Sequence, residues 1–260
     1  MTITTIGAIR FGTSSVPTTE GTDDGSNPGV WDDPGRAVAV YGASIGGTGG
    51  GGAGSVGGGD GGNGGHAGPL TIANSGTLNM NGVNLVNGGA GILGSVVTGG
   101  GGEQNDTAGD QHGGAAGDGN TLTISNSGAI ALSAPTAGHY VRGIGAENLG
   151  GVGGKDNGNG GNAGATTITN TSAVSVSVQA VASGKTIDEG ARGIYGASFG
   201  GPGEASSDGS DDVGIGEGGP NVTITTSGNV SVSATGLTAP QDGYNPTTND
   251  YATDTSPVSV

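Results

Sequence analysis

The chain has 260 residues, 64 of them glycine and none cysteine, and its 22 acidic and 6 basic side chains leave a net charge of −16. So acidic a surface excludes nucleic acid, whose phosphates need a basic partner, and no apolar run is long enough to span a membrane as a helix. Isoleucine, leucine, valine and phenylalanine make up 45 of the 260 residues, too few for a conventional globular core and in the disordered range if they were scattered.

They are not scattered. The chain opens on Thr2–Phe11 (Thr-Ile-Thr-Thr-Ile-Gly-Ala-Ile-Arg-Phe), and the same pattern returns at Thr71–Met80, Thr123–Leu132, Thr167–Val176 and Thr223–Val232. Each copy holds apolar residues at fixed offsets. The first column is Ile3, Ile72, Ile124, Ile168 and Ile224, the second Ile9, Leu78, Ile130, Val174 and Val230, and the third Phe11, Met80, Leu132, Val176 and Val232. Between the first two columns sits a short polar step, mostly Ser-Gly, as at Ser75-Gly76 and Ser127-Gly128. This reads as a short strand, a corner and a second short strand with strict alternation. Alternation puts Thr5, Asn74, Asn126, Asn170 and Thr226 on the inward face, two residues after the first column. Asparagines stacked one strand apart can pass amide hydrogen bonds along the axis, so Asn74, Asn126 and Asn170 are expected to form a structural ladder.

A second motif begins near residues 37, 89, 141 and 191, fullest as Ala191–Gly201 (Ala-Arg-Gly-Ile-Tyr-Gly-Ala-Ser-Phe-Gly-Gly). Its aliphatic positions Val40, Ile92, Ile144 and Ile194 are 52, 52 and 50 residues apart, a period that marks a repeat architecture. It supplies a third strand, carrying a further column at Ile45, Val97, Leu149 and Phe199. The two columns are five residues apart, an odd number, which predicts a bend near Gly42, Gly94 and Gly196. Each copy runs on into a glycine-rich segment, 46–68, 99–119, 150–164 and 200–219. Segments of such unequal length belong on one face of a solenoid, where they need not pack, and either order like polyproline II or stay mobile.

The expected architecture is therefore all-β: a parallel β-helix over 1–235 with three short strands per coil and about five rungs, roughly 24 Å of stack at one strand spacing each. A partial first rung, 1–11, precedes four repeats of about fifty residues. Residues 236–260 read as a polar tail serving as a donor strand or a secretion signal, with Val258 and Val260 as its assembly candidates.

The run Gly-Ile-Tyr-Gly-Ala-Ser-Phe-Gly-Gly at 193–201, followed by Gly/Asn/Asp-rich sequence, and Leu-Thr-Ile-Ser-Asn-Ser-Gly-Ala-Ile at 122–130 resemble the glycine-rich passenger repeats of bacterial autotransporter adhesins. The similarity covers nearly all of residues 1–235 and rests on the order and repetition of simple motifs. It implies a right-handed β-helix displayed outside a Gram-negative cell, acting in adhesion, aggregation or biofilm. Neither a secretory leader nor a translocator barrel is evident, and an acidic, cysteine-free chain is also similar to substrates of one-step secretion.

Residues with potential chemistry have bland readings beside the sharp ones. His66, His112 and His139 share no register and no ligand spacing, and read as loop residues. Gly42-Ala43-Ser44 recurs at Gly196-Ala197-Ser198, which a unique nucleophile would not do. The acids Asp32, Asp33, Asp208, Asp211 and Asp212 are candidate calcium ligands, although the calcium-binding nonapeptide is not matched. Paired acids of a glycan-active β-helix would need equal offsets in neighbouring rungs, and these fall in connections of unequal length. Arg142 and Arg192 occupy equal offsets, with Glu189 before the latter, and read as a surface ion pair. Thr-x-Thr pairs at Thr2, Thr167 and Thr223 resemble ice-binding arrays, interrupted at Ala73 and Ser125. The expected function is structural or adhesive, without catalysis or cofactor, with calcium binding or glycan chemistry as alternatives. The expected partners are other copies of the chain or a host or neighbouring cell surface.

Overall fold

The computed structural model describes residues 1–10, 37–52, 60–83, 85, 88–103, 112–135, 141–155, 158–179, 191–203, 219–234, 244–245 and 250–251, and among these there is no helix. The first rung supplies β1 (Thr2–Thr5), β2 (Ile9–Arg10) and β3 (Ala37–Ile45). The second supplies β4 (Leu70–Asn74), β5 (Leu78–Asn81) and β6 (Gly89–Val97), and the third β7 (Leu122–Asn126), β8 (Ile130–Ala134) and β9 (Val141–Leu149). Then come β10 (Thr166–Asn170), β11 (Val174–Val178) and β12 (Ala191–Phe199), and last β13 (Val222–Thr226) and β14 (Val230–Ala234). A small antiparallel pair, β15 (Tyr244–Asn245) and β16 (Asp250–Tyr251), follows.

Every third strand pairs in parallel. Sheet A has the order β1-β4-β7-β10-β13, sheet B β2-β5-β8-β11-β14 and sheet C β3-β6-β9-β12. The arrangement is a parallel β-helix of three sheets that stay separate from one another. Its register is that of the columns: Ile3 pairs with Ile72, Ile72 with Ile124, Ile124 with Ile168 and Ile168 with Ile224. Ile72, Ile124 and Ile168 are wholly buried, as are Leu70, Leu78, Met80 and Leu122. Each such side chain contributes roughly 1.5–3 kcal/mol of transfer free energy, an upper figure given a compact unfolded chain. A few inward residues per coil are enough, because the rung above and the rung below complete their surroundings.

Sheet C corrects one expectation. The strands do not bend at Gly42, Gly94 and Gly196. These glycines face inward and make room for sheet A, since a Cβ at Gly42 would lie 2.7 Å from the Cδ1 of Ile3, and one at Gly94 2.9 Å from a δ-methyl of Leu122. The change of face comes earlier. A Cβ at Gly91 would point at Ile130 of sheet B, 2.6 Å away, and the next residue, Ile92, is buried in the same interior. Two consecutive inward positions mark the kink, and the pairing of β3 with β6 skips Ala39 and Gly91 there. From residue 40 onward alternation is regular, so the column of Ile45 and Phe199 lies on the outer face, where these two are 51% and 60% exposed.

Candidate functional site

The inward asparagines form a chain of side-chain hydrogen bonds with a single direction. Asn74 donates from Nδ2 to Oδ1 of Asn126 at 2.7 Å, Asn126 likewise to Asn170 at 2.7 Å, and Asn170 to Oγ1 of Thr226 at 3.1 Å. The second amide proton of each goes to the carbonyl two residues ahead: Gly76, Gly128 and Ser172. Each amide therefore ties its own corner closed and holds the next rung. The three asparagines are 0–2% exposed, so these bonds form where water cannot replace them. At the first-rung end Asn74 Oδ1 is buried without a hydrogen-bond partner. The residue before it in the column is Thr5, whose shorter side chain carries no amide.

Of the two alternatives for the glycine-rich segments, the described portions take the ordered one, and their unequal lengths do not keep them from packing. Their described portions form hydrogen-bonded arms. The outgoing arms bond rung to rung every third residue, Gly46 N–H to Val97 O, Gly49 to Gly100 O and Gly52 to Glu103 O. The returning arms do the same, Gly61 to His112 O, Gly64 to Ala115 O and Ala67 to Asp118 O. A period of three is that of the polyproline II helix, which has no internal hydrogen bonds and leaves its amides for neighbours. Intervening residues lace the two sets together: Gly65 N–H bonds Gly47 O, Gly99 bonds Gly65 O, and Gly117 bonds Gly99 O. This close approach demands glycine, because a Cβ at Gly99 would fall on the carbonyl of Gly47.

Non-glycine residues in the returning arms have a defined place. Asp60, Asn63 and His66 recur every third residue, on the edge away from the outgoing arm. Each accepts a backbone N–H from the following rung: His112 N–H to Asp60 Oδ1 at 3.1 Å, Ala115 to Asn63 Oδ1 at 3.1 Å, and Asp118 to His66 Nδ1 at 2.8 Å. Asp118 in turn receives Asn162 N–H on Oδ1. The side chains thus satisfy the outer amides of the array, as caps do at a helix end. His66 is a hydrogen-bond acceptor in this edge, and its side chain is 72% exposed.

Arg142 is not on the surface. It lies on the outer face of sheet C at 3% exposure and donates from an Nη to Glu147 Oε1 at 2.6 Å. The Tyr195 ring of the next rung covers its guanidinium, 4.0 Å from the ring centroid, and Arg192 approaches the same ring at 4.5 Å. Gly145, between Arg142 and Glu147, leaves the room: a Cβ there would lie 3.2 Å from Arg142 Cδ. Equal offset did not reveal this pair, because the acid lies five residues ahead on the same strand. Glu189 lies outside the described residues, as do His139, Asp32, Asp33, Asp208, Asp211, Asp212, Val258 and Val260.

The outer face of sheet A carries hydroxyls and no charged side chain over β1, β4, β7, β10 and β13. A shallow groove runs along it, lined by Thr4, Ala73, Ser75, Ser125, Ser127 and Thr169 among others. At its rim Ser75, Ser127 and Thr171 donate to carbonyls of the preceding rung, those of Thr5, Asn74 and Asn126. The last rung is the other open surface. Ile224 is 45% exposed and Val230 and Val232 are 40% exposed, where their counterparts Ile168, Val174 and Val176 are at most 1%.

Fold and hydrogen-bonding pattern define the class: a parallel β-solenoid with a polyglycine flank. Comparison of the chain with family models, with curated proteins and with solved structures finds no match.

Proposed function

We propose that this chain is a structural and adhesive element on the outside of a Gram-negative bacterium, a segment of a surface adhesin or a subunit of a self-assembling matrix fibre, and that it is not an enzyme. The observation that carries the reading is the use made of polar side chains. Asn74, Asn126 and Asn170 bond rung to rung, and so do Asp60, Asn63, His66, Asp118, Ser75, Ser127 and Thr171. Residue types that elsewhere serve as bases, nucleophiles or ligands here hold a rod in register. A protein whose chemistry goes into its own rigidity is suited to spacing, display and contact. Its net charge of −16 keeps such rods soluble and apart until a specific face engages.

The test is to display the chain on a non-aggregating Gram-negative host through an unrelated anchor, with and without calcium. The expected result is faster settling and attachment than for cells displaying an unrelated β-solenoid of similar charge at equal density. Equal settling and attachment in both calcium arms would remove the adhesive reading. Activity appearing only with calcium would transfer it to the acidic loops.

A further inference from the structure

We infer that the outer row of the returning arms is a set of spontaneous modification sites that the hydrogen-bonded array holds shut. Asp60-Gly61, Asn63-Gly64 and Asp118-Gly119 close to succinimides only while an arm is detached, and the isoaspartate that results keeps that arm from docking again. This goes beyond the adhesive role and does not depend on what the rod attaches to.

At all three steps a single residue of the following rung holds both reacting groups. Ala115 donates its N–H to Asn63 Oδ1 at 3.1 Å and accepts the Gly64 N–H on its carbonyl at 2.8 Å. His112 does the same for Asp60 and Gly61, at 3.1 and 3.0 Å, and Asn162 for Asp118 and Gly119, at 3.2 and 2.7 Å. The side-chain electrophile is thereby turned to the next rung, and the nucleophile's N–H is engaged there as well. Burial does not shield the side chains, since Asp60, Asn63 and Asp118 are all exposed. The fold also dictates the labile pairing. The outer amides need a short side-chain acceptor, which Asp or Asn supplies. The next position needs glycine, because a Cβ at Gly61 or Gly64 would fall on the carbonyl of Gly102 or Gly99. Glycine, with no side chain, has the least obstructed nitrogen.

Once an arm is detached, the Gly64 nitrogen attacks Asn63 Cγ. The N–Cγ bond forms, the bond from Cγ to the amide nitrogen breaks, and that nitrogen leaves as ammonia with the proton lost from Gly64. Water then opens the ring by breaking one of its two carbonyl C–N bonds. Opening at Cγ gives aspartate, and opening at the backbone carbonyl of residue 63 gives isoaspartate. At Asp60 and Asp118 the leaving group is water, so the sequence is a net isomerisation. Aspartate at position 63 still offers Oδ1 to Ala115, as Asp60 and Asp118 do to their own partners. Isoaspartate routes the chain through Cβ and Cγ and adds one backbone atom. That shifts the three-residue phase by which Gly64, Gly65 and Ala67 reach the carbonyls of Ala115, Gly47 and Asp118.

The test is peptide mapping of the full chain held near neutral pH, folded and in concentrated urea. Mass spectrometry reads deamidation at Asn63, and labelling by an isoaspartyl methyltransferase reads isoaspartate at positions 60, 63 and 118. Conversion at all three should be at least about tenfold slower in the folded chain, because a docked arm reacts only during local opening. Ala115→Pro removes one of the two bonds at Asn63 alone: proline suits the polyproline II backbone and keeps the carbonyl that Gly64 uses. Asn63 should then convert several-fold faster than in wild type, with positions 60 and 118 unchanged. Gly117→Val sets a side chain on the Gly65 carbonyl and parts the arms. It should bring Asn63 to its rate in urea while the β spectrum persists, with amide exchange at Gly64 reporting the detachment. Equal rates in folded and urea-treated wild type, no acceleration in Ala115→Pro, or a free Gly64 amide with Asn63 still at its folded rate would each overturn the inference. Chains converted in urea and refolded decide the one-way step. Those with isoaspartate at position 63 should leave the Gly64 and Ala67 amides unprotected and those with aspartate should protect them; equal protection would overturn that step.

Discussion

Replacing Asn126 by alanine is the sharpest perturbation of the spine. Asn126 accepts from Asn74 at 2.7 Å and donates to Asn170 at 2.7 Å and to Gly128 O at 2.8 Å. Alanine removes all three bonds; besides the carbonyl of Gly128 it leaves two side-chain groups stranded, one N–H of Asn74 and Oδ1 of Asn170, both on side chains at most 2% exposed. Leaving a buried polar group unsatisfied costs about 1–3 kcal/mol. Two of them put the loss at about 2–6 kcal/mol, a large part of the 5–15 kcal/mol typical of a folded domain. Ser125→Ala, on the exposed face of the same strand, is the control, expected to change stability by less than about 0.5 kcal/mol. Urea titration followed by circular dichroism gives both numbers. The double variant Asn74→Ala/Asn126→Ala should lose less than the sum of the singles, because the second deletion removes a group the first had already stranded. Equal losses for Asn126→Ala and Ser125→Ala, or strict additivity of the asparagine pair, would refute the ladder as a source of stability.

Gly99→Ala sets a methyl on the carbonyl of Gly47 and should cost about 1–3 kcal/mol as overpacking, whereas Gly47→Ala, with nothing within 4 Å of its new Cβ, should be close to neutral; thermal melting compares them. Glu147→Leu alone leaves Arg142 as a buried charge without its carboxylate and should cost about 3–5 kcal/mol, with Arg142→Met/Glu147→Leu recovering much of it. A double variant no more stable than the single would show that the ion pair itself contributes net stability. Asn126→Asp tests the ladder by pH. Its carboxyl would face the acceptors Asn170 Oδ1 and Gly128 O, which raise its folded pKa above the unfolded value of about 3.9. The deficit against wild type should be smallest below about pH 4 and grow as pH rises through that value; a deficit independent of pH would contradict the assigned donor direction. His66→Ala should speed hydrogen exchange at the Asp118 amide with little change in global stability, because only that edge bond is lost.

Much of the fold could be read from spacing alone. Ile72, Ile124 and Ile168 share an offset because each must fill the same place in its coil, and parallel strands stack residues of equal offset. The asparagines were legible for the same reason, being polar residues at an inward position of a periodic pattern. The kink in sheet C was not. An odd spacing between Val40 and Ile45 allows either a bend or a change of face, and side-chain type does not distinguish them when the outer residue is apolar. Val97, buried on the face where Ile45 is open, gives the same signal with opposite burial. The glycine arms were ambiguous for a related reason. A glycine run has no side-chain pattern, and its order depends on whether another arm lies close enough to take its amides. Even so, the three-residue spacing of Asp60, Asn63 and His66 was a usable signal, since it is the period of the helix they cap.

The sequence by itself determined the repeat, the strand positions, the pairing register and the inward columns of sheets A and B, because these follow from alternation and from equal offsets along one chain. Only the tertiary structure decided what the glycine segments do, where Arg142 finds its acid and which rung is left open. Those outcomes depend on distances between segments, such as Gly99 against Gly47 or Arg142 beneath Tyr195, which no local pattern encodes. A residue's offset says which neighbours it will have along the axis; what approaches from the side is settled when the coils close.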